Sequence, residues 1–417
     1  MVIATTTGSE TARERPRQAV ILAGGRGERM RPLTDDRPKA MIEFHGRPFL
    51  AYMIEMLRDA GFESVLLLLG YKAEVIQDYF GDGSAFGIDI EYSVSPAEDL
   101  TVRRVQLARD RIEDCFMLLY CDNYWPMRID HMWCHYQAVG APAMITVYRN
   151  TDGYTKDSVI VNPYGKVEVY DRSRTKAGLR GTEISYAILT RAALDLLPDE
   201  DALFEEAVYP KLTEAGKLSA YVTDHRYYSV GSLNRLPLTD EFLARRPVAL
   251  LDRDGVLNRK PPRAEYVRNW DEFEWMPGAK TALAQLKSAG YRLIVISNQA
   301  GVARGAMTQA DLDAVNQRML DEAADAGGPI DGIYTCTHGW EEGCECRKPR
   351  AGLLFQAQRD FHFDLTRAVF IGDDERDAAA ADAAGCGFLR ASERTGLLEL
   401  TENLLGVRGR LLCVNSN

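Results

Sequence analysis

Two short apolar runs, each followed by a loop suited to binding phosphate, constrain the fold of this 417-residue chain more than any other feature. The first run reads VILA and leads into Gly24, Gly25 and Gly27, and the second reads VALL and leads into Asp252 and Asp254. In open α/β sheets, ligands bind at the carboxyl ends of the parallel strands. Phosphate-binding residues after two separate strands therefore predict two such sheets and two catalytic domains.

Strand-like and helix-like segments alternate through the first half, which predicts a mostly parallel sheet. Shorter alternating runs over 143–169 predict an antiparallel insertion around an Asn-Pro-Tyr-Gly turn. The predicted strands are 18–22, 64–69 and 116–121, and the predicted helices are 48–60 and 73–80.

The alternation restarts at Val248, after a helix-like connector over 236–246. The predicted helices are 278–289, 309–326 and 353–361, and the predicted strands are 292–297, 330–336 and 368–371. We expect an α/β fold of two Rossmann-like domains in tandem, a mixed sheet over 17–245 and a parallel sheet over 246–417. A disordered tail is expected over 1–16.

The composition limits the partners and the compartment of the chain. Its formal net charge of −11 argues against a nucleic-acid partner and against binding to an anionic membrane surface. It has no apolar run near the roughly 20 residues of a membrane span, and its first residues lack the apolar core of a signal peptide. A cytoplasmic location follows, in which the eight cysteines are expected to be reduced.

The second half carries an ordered set of residues at predicted strand ends. Asp252 and Asp254 are two residues apart, so in an extended strand end both carboxylates face one side. One carboxylate can attack phosphorus while the other transfers a proton to the leaving oxygen. Such a site also needs Mg²⁺ and a nearby cation. Candidate partners occur downstream at Ser297, Asn298, Lys348 and Asp373.

This set, DxDG…SN…RKP…GDD, resembles that of the haloacid-dehalogenase phosphatases. The resemblance implies that Asp252 is the nucleophile and that Asp254 is the acid/base. It further implies that Ser297 and Lys348 hold the phosphate, and that Asp252, Asp254 and Asp373 bind Mg²⁺.

A finer resemblance rests on the segment SNQAGVARG, which is similar to the loop of the D,D-heptose 1,7-bisphosphate 7-phosphatases. These are relatives of the histidinol-phosphate phosphatases. By this resemblance Arg304 reaches the sugar or its second phosphate, and Asn298 and Arg347 bind substrate.

Three cysteines and a histidine fall within one short segment, at Cys336, His338, Cys344 and Cys346. Three thiolates and an imidazole match the tetrahedral ligand set of Zn²⁺ and leave no position open for substrate. We therefore predict a small loop with a structural zinc ion, which stiffens the chain just before Arg347 and Lys348.

The first half carries a glycine loop that allows backbone N–H groups to approach a triphosphate closely. Its longer string, GGRGERMRPLTDDRPKAM, resembles that of the sugar-1-phosphate nucleotidylyltransferases. The resemblance implies that Gly24, Gly25, Gly27, Arg29 and Lys39 bind the nucleotide. It also implies that Asp122, after the predicted strand 116–121, binds a catalytic Mg²⁺.

The first half departs from that family in three places. A glycine-rich loop is replaced by the residues 99–104, and a Glu-Lys pair for the sugar phosphate is replaced by Asp171 and Arg172. The second metal aspartate is replaced by Ser229, whose neutral hydroxyl is a poorer Mg²⁺ ligand than a carboxylate.

These features favour a bifunctional enzyme that acts on a sugar phosphate and a nucleoside triphosphate. It would remove the 7-phosphate of a heptose 1,7-bisphosphate and then join the 1-phosphate to a nucleotide, with GTP the first expectation. In an alternative hypothesis, the chain is only a phosphatase of heptose bisphosphate or histidinol phosphate. Its first half is then a catalytically inactive module for binding or oligomerisation. The sequence leaves open a homo-oligomer, the anomer and the base.

Overall fold

The structure is a computed structural model that describes residues 14–414, with only the backbone described for 407–414. The tail predicted over 1–16 therefore lies mostly outside the described residues, although Arg15 forms an ion pair with Asp130 at 2.6 Å. Compact units form up to Thr239 and from Asp240 onward, so the boundary lies a few residues before the predicted one.

The strands of the first unit are β1 (Gln18–Ala23), β2 (Glu43–Phe44), β3 (Arg47–Pro48), β4 (Ser64–Leu69), β5 (Asp89–Val94), β6 (Cys115–Tyr120), β7 (Asn123–Tyr124), β8 (Ala143–Tyr148), β9 (Val159–Val161), β10 (Val167–Tyr170), β11 (Thr182–Thr190), β12 (Leu218–Thr223) and β13 (Tyr228–Ser229). Seven of them form a mixed sheet in the order β12-β8-β11-β6-β1-β4-β5, and the others form the two-stranded pairs β2-β3, β9-β10 and β7-β13. The α-helices of this unit are α1 (Phe49–Asp59), α2 (Ala73–Phe80), α3 (Thr101–Ala108), α4 (Ile129–Val139), α5 (Phe204–Ala207) and α6 (Tyr209–Glu214); α7 (Leu236–Leu243) contains the boundary between the units.

Strand β1 lies in the interior of this sheet, and all six of its residues are buried. It pairs in parallel with β4 on one side and β6 on the other. The chain thus crosses from one side of β1 to the other, which opens a crevice at the carboxyl end of that strand. The glycine loop begins there. The predicted antiparallel region is confirmed. Strand β11 runs antiparallel to both β6 and β8, and β9 forms an antiparallel pair with β10.

The second unit is built on a five-stranded sheet in the order β16-β15-β14-β17-β18. Its strands are β14 (Val248–Leu251), β15 (Arg292–Asn298), β16 (Gly332–Cys336), β17 (Val369–Gly372) and β18 (Gly387–Arg390), and its helices are α8 (Ala279–Ser288), α9 (Gln309–Asp325), α10 (Gly352–Phe361), α11 (Glu375–Ala384) and α12 (Leu397–Val414).

All pairs of this second sheet are parallel, as predicted. Strand β14 is central and lies between β15 and β17, so a crevice opens at its carboxyl end as well. The mixed sheet and the parallel sheet expected from the sequence are both present. Among residues 14–414, no helix has the length and apolar composition needed to cross a membrane.

Candidate active sites

The carboxyl edge of the second sheet gathers the candidate phosphatase residues. Asp252 follows β14, Ser297 is the penultimate residue of β15, and Asp373 follows β17. Gly255 allows this close approach: its φ is +98°, and a Cβ there would lie 2.5 Å from the Asp373 carboxylate.

Lys348 joins the carboxylates of this edge. Its ammonium lies 2.9 Å from Asp252 Oδ1 and 2.7 Å from Asp377 Oδ1, and only 2% of its side chain is exposed. Burial raises the pKa of the Asp252 carboxyl, Lys348 offsets part of that, and the neighbouring Asp377 raises it further. Because Asp252 shares the Lys348 ammonium with Asp377, its carboxylate can give up part of this contact to a metal ion or a phosphoryl group.

Three carboxylates could hold a metal ion. Asp252, Asp373 and Asp377 each bring one oxygen within 4.8 Å of the others. Asp373 Oδ1 is buried and lacks a hydrogen-bond partner within the described chain. Hard carboxylate oxygens of this kind fit Mg²⁺.

The Asp254 carboxylate lies outside this group of three. It accepts hydrogen bonds from Asn258 Nδ2 at 3.0 Å and from Gln299 Nε2 at 2.7 Å, and it pairs with the fully buried Arg253 at 3.1 Å. Its role as an Mg²⁺ side-chain ligand therefore stays a prediction. Asp377, which the sequence analysis did not name, lies instead with Asp252 and Asp373, the other two carboxylates that could hold a metal ion.

A pocket of about 930 Å³ lies at this edge, and Lys348 and Asn298 both line it. The Asn298 side-chain amide fixes the Lys348 backbone, because it donates to the Lys348 carbonyl and accepts from the Lys348 N–H, both at 3.1 Å. Arg347 Nη1 is buried and without a partner among the described residues. The lining is rich in cations, namely Lys260, Arg263, Arg347, Lys348, Arg350 and Arg376. Such a set suits a substrate that carries more than one phosphate.

Arg304 does not line this pocket. Its guanidinium lies 4.3 Å from the centre of the Trp340 ring, and Trp340 does line the pocket. The contact with substrate expected for Arg304 stays a prediction. Lys260, which the sequence did not single out, lies 2.7 Å from Asp373 Oδ2.

The predicted zinc ligands come together in the second unit. Cys336 Sγ lies 3.7 Å from both His338 Nδ1 and Cys344 Sγ, and Cys346 Sγ lies 3.2 Å from His338 Nδ1 and 3.5 Å from Cys344 Sγ. In a tetrahedron with Zn–S bonds of about 2.3 Å, ligand atoms are separated by about 3.7 Å. The four side chains therefore fit Zn²⁺ in number, type and spacing.

In the first unit, the glycine loop lies beside a half-buried ion pair. Lys39 Nζ lies 2.7 Å from Asp122 Oδ2. Burial alone would raise the pKa of Asp122, but Lys39 outweighs it and lowers that pKa, so the carboxylate is ionised. Gly24, Gly25, Gly27 and Arg29 line the same cavity of about 490 Å³. This arrangement can hold a triphosphate close to one metal-binding carboxylate.

Arg104 is part of the segment 99–104, where the resembled family has a glycine-rich loop. It lies on α3, a helix that the sequence analysis did not predict. Its guanidinium donates to Leu69 O at 2.5 Å and to Ser95 Oγ at 2.8 Å, and the side chain is buried. A Cβ on Gly24 or Gly70 would lie 2.2 or 2.5 Å from it. The guanidinium thus ties together the ends of three neighbouring strands beside the candidate nucleotide pocket.

Ser229 lies next to the candidate metal aspartate. It pairs with Asn123 across β13 and β7, and Val230 N donates to Asp122 O at 2.9 Å. Its hydroxyl accepts from Gly231 N at 3.0 Å. The position expected for a second carboxylate therefore holds a hydroxyl that is already engaged with the backbone.

A polar pocket next to the glycine-loop cavity is lined by several acids and arginines, among them Glu183, Glu205 and Arg172. Arg172 Nε lies 3.3 Å from Glu205, which also accepts from Tyr120 OH. Burial raises the pKa of Glu183 to about 8. The hydrogen bond from Ser185 N lowers this pKa, and the negative charge of Glu205 raises it further. Glu183 is therefore protonated at neutral pH. Asp171 does not line this pocket; it accepts from Ser173 N at 3.0 Å and Thr175 N at 2.8 Å.

Replacing Glu183 by Gln should make the free energy of unfolding less sensitive to pH. The folded-state pKa of about 8 is above the ordinary value of 4.5, so the wild type loses stability as the pH rises from about 4.5 to about 8. The full difference amounts to about 5 kcal/mol. Urea unfolding followed by circular dichroism at pH 5 and pH 8 would measure it. An equal pH dependence in both proteins would contradict the protonated state of Glu183.

Two family models match the chain. The model described as nucleotidyl transferase matches residues 18–171, and the model described as polynucleotide kinase 3 phosphatase matches residues 247–386. The matches fall in the first and the second unit respectively.

Individual relatives match each unit separately. A D-glycero-beta-D-manno-heptose-1,7-bisphosphate 7-phosphatase of Rhodopseudomonas palustris is 40% identical over 148 residues, which are 34% of this chain and 81% of that protein. A crystal structure of the D,D-heptose 1,7-bisphosphate phosphatase of Bordetella bronchiseptica, with magnesium and phosphate, is 33% identical and covers 38% of this chain and 98% of its own, with a TM-score of 0.36. HddC from Yersinia pseudotuberculosis is 23% identical and covers 54% of this chain and 98% of its own, with a TM-score of 0.46.

Proposed function

Because the C-terminal half of this chain belongs to the family of the D-glycero-beta-D-manno-heptose-1,7-bisphosphate 7-phosphatases, we propose that it removes the 7-phosphate of such a sugar bisphosphate. The chain is an enzyme with a phosphatase domain and a nucleotidyltransferase domain. We propose further that the N-terminal half transfers a nucleotidyl group to the resulting sugar 1-phosphate. The two reactions are consecutive, because the product of the first is the acceptor of the second.

The arrangement of Asp252 against Lys348 and Asp377 carries the phosphatase proposal. Asp252 attacks phosphorus, the bond from phosphorus to the sugar oxygen breaks, and Asp254 gives its proton to that oxygen. Water then attacks phosphorus, gives a proton to Asp254 and releases phosphate from Asp252. Lys348, Ser297 and Arg347 hold the phosphoryl oxygens, with Lys348 Nζ already 2.9 Å from Asp252.

Mg²⁺ would be held by Asp252, Asp373 and Asp377, where it would neutralise charge on the phosphoryl group. Asp373 Oδ1, buried and unpartnered within the described chain, supports this assignment. We propose Zn²⁺ on Cys336, His338, Cys344 and Cys346 as a structural ion.

The nucleotidyltransferase proposal rests on the glycine loop, Arg29 and the Lys39–Asp122 pair. The sugar phosphate oxygen attacks the α-phosphorus in line, the bond to the pyrophosphate oxygen breaks, and no covalent enzyme intermediate is needed. Arg29 and Lys39 neutralise the leaving pyrophosphate. Asp122 would hold Mg²⁺, with Lys39 2.7 Å away to share its charge. GTP as the donor nucleotide stays a prediction.

Mass spectrometry of products from heptose 1,7-bisphosphate and mixed nucleoside triphosphates tests both proposals together. We expect inorganic phosphate, the sugar 1-phosphate, pyrophosphate and one nucleotide sugar. Phosphate release without pyrophosphate from any nucleotide would favour the alternative, in which the N-terminal half only binds or assembles. The engaged hydroxyl of Ser229 is the observation that favours this alternative.

Replacing Asp122 by Ala should abolish pyrophosphate release and leave phosphate release unchanged. The substitution removes the carboxylate proposed to bind the metal and leaves the Lys39 ammonium without its partner at 2.7 Å. Pyrophosphate and phosphate would be assayed separately on the same preparations. Asp130→Ala, at an exposed position on α4, is the matched control. Pyrophosphate release at the wild-type rate would show that Asp122 does not bind the catalytic metal.

A further inference from the structure

Gln299 is a buried polar residue that the reaction above does not use. It follows Asn298 at the end of β15, and none of its side chain is exposed. Its Nε2 lies 2.7 Å from Asp254 Oδ2 and 2.9 Å from Ser297 Oγ. Its Oε1 has no hydrogen-bond partner within the described part of the chain. When Asp254 is ionised, its carboxylate only accepts hydrogen bonds, and the amide nitrogen of Gln299 faces it.

The backbone holds Gln299 in a fixed place. Its N–H donates to Cys336 O at 2.7 Å, which ties the end of β15 to the end of β16. The side chain is therefore aimed from a rigid strand end and not from a free loop. An amide placed in this way can direct its two N–H groups at two neighbours at once.

The hydrogen bond to Ser297 sets the direction of that hydroxyl. Because Ser297 Oγ accepts from Gln299, one of its lone pairs is occupied and its own hydrogen remains available. The neighbouring Lys348 and Asn298 mark the phosphate side of this edge. The Ser297 hydroxyl is thus prepared to donate to a phosphoryl oxygen.

The hydrogen bond to Asp254 helps to fix the position of its Oδ2. Asn258 Nδ2 and Arg253 Nε donate to Oδ1 at 3.0 and 3.1 Å, whereas Oδ2 accepts from Gln299 Nε2 at 2.7 Å and from Arg253 Nη2 at 3.3 Å. Loss of Gln299 would remove the shorter of the two hydrogen bonds on Oδ2 and leave that oxygen to Arg253 alone. Proton transfer to a leaving oxygen requires a carboxyl oxygen at a defined position.

We infer that Gln299 is a positioning residue of the phosphatase site, which sets the general acid/base Asp254 and the phosphate ligand Ser297 at the same time. This inference rests on the proposed phosphatase function and adds a residue to it. Gln299 does not line the pocket; it acts through the side chains of Asp254, which does line it, and of Ser297.

Replacement of Gln299 by Met, which keeps the length and loses the hydrogen bonds, tests this. We expect kcat for the sugar bisphosphate to fall by about 30-fold or more, because positioned proton transfer contributes about 10²- to 10⁴-fold. With p-nitrophenyl phosphate, whose leaving group needs no proton, the rate of the first turnover should fall much less, because only the orientation of Ser297 is disturbed in that step. A burst of p-nitrophenolate should then precede a slow steady state, since hydrolysis of the phosphorylated Asp252 still needs Asp254 as a base.

Gln285→Met is the matched control, because Gln285 on α8 is a partly buried glutamine whose Oε1, like that of Gln299, has no partner in the described chain, and it lies outside the pocket lining. Gln299→Leu also removes the amide donor and adds no charge beside Asp254, so it should show the same burst if the Met variant does not fold. Retention of more than half of kcat, or an equal loss on both esters without a burst, would overturn the inference. If the wild type cleaves only the aryl ester, the sugar assignment fails and the burst still decides the role of Gln299.

Discussion

Replacement of Asp252 by Asn should lower phosphate release from heptose 1,7-bisphosphate by a factor on the order of 10⁴ or more. The amide has nearly the same shape as the carboxylate but cannot attack phosphorus, and loss of a catalytic nucleophile has effects of this size. Lys348 keeps Asp377 as a partner at 2.7 Å, so the site should stay folded. A malachite-green assay of phosphate under single-turnover and steady-state conditions measures the loss.

The same variant separates the two proposed activities. When heptose 1-phosphate and a nucleoside triphosphate are supplied directly, the Asp252→Asn protein should release pyrophosphate at the wild-type rate. Asp313→Asn, at an exposed position of α9, should leave both reactions unchanged. Phosphate release by Asp252→Asn at the wild-type rate would mean that another group attacks phosphorus. Failure of the wild type on this sugar, with other phosphate esters cleaved, would contradict only the proposed substrate.

Much of the fold could be predicted because both sheets place fully apolar strands at their centres. The bounds of β4 and α2 agree with the predicted 64–69 and 73–80. A strand buried on both faces reads as a continuous apolar run, and the residue after it must lie at the carboxyl edge of the sheet. For this reason Asp252, Ser297 and Asp373 could be placed at one edge from the sequence alone.

Residues that reach the sites from other directions could not be placed in this way. Asp377 lies in the first turn of α11, one helical turn beyond Asp373, where an acidic residue also reads as an ordinary capping group. Its spacing from Asp373 was the available signal. The Arg104 side chain extends from α3 to Leu69 O at the end of β4. The spacing of apolar residues along a helix does not indicate where the guanidinium of a long side chain lies. Such contacts depend on tertiary approach, which strand and helix patterns do not encode.

The second large effect is expected at the cysteine cluster. Cys336→Ser should lower the zinc content from about one ion per chain to nearly none, because a tetrahedral site of four protein ligands loses one of its thiolates. Cys336 is fully buried and pairs in register with Asn298, the residue that holds the Lys348 backbone at 3.1 Å. Release of the ion should therefore loosen Arg347 and lower kcat/KM for the bisphosphate by about 10- to 100-fold.

Elemental analysis of the purified chain, paired with assays of both reactions, checks this result. Cys386→Ser is the matched control, since Cys386 lies in the same unit and outside the cluster, with its thiol donating to Ala381 O at 3.6 Å. Nucleotidyl transfer should be unchanged in both variants, because the cluster belongs to the second unit alone. A wild-type protein that is active without zinc would contradict the structural ion. A Cys336→Ser protein that keeps zinc and full activity would instead show that the other three ligands suffice. Loss of zinc with only the phosphatase impaired is the result that the geometry predicts, because the four proposed zinc ligands lie directly before Arg347 and Lys348, the residues proposed to hold the phosphate.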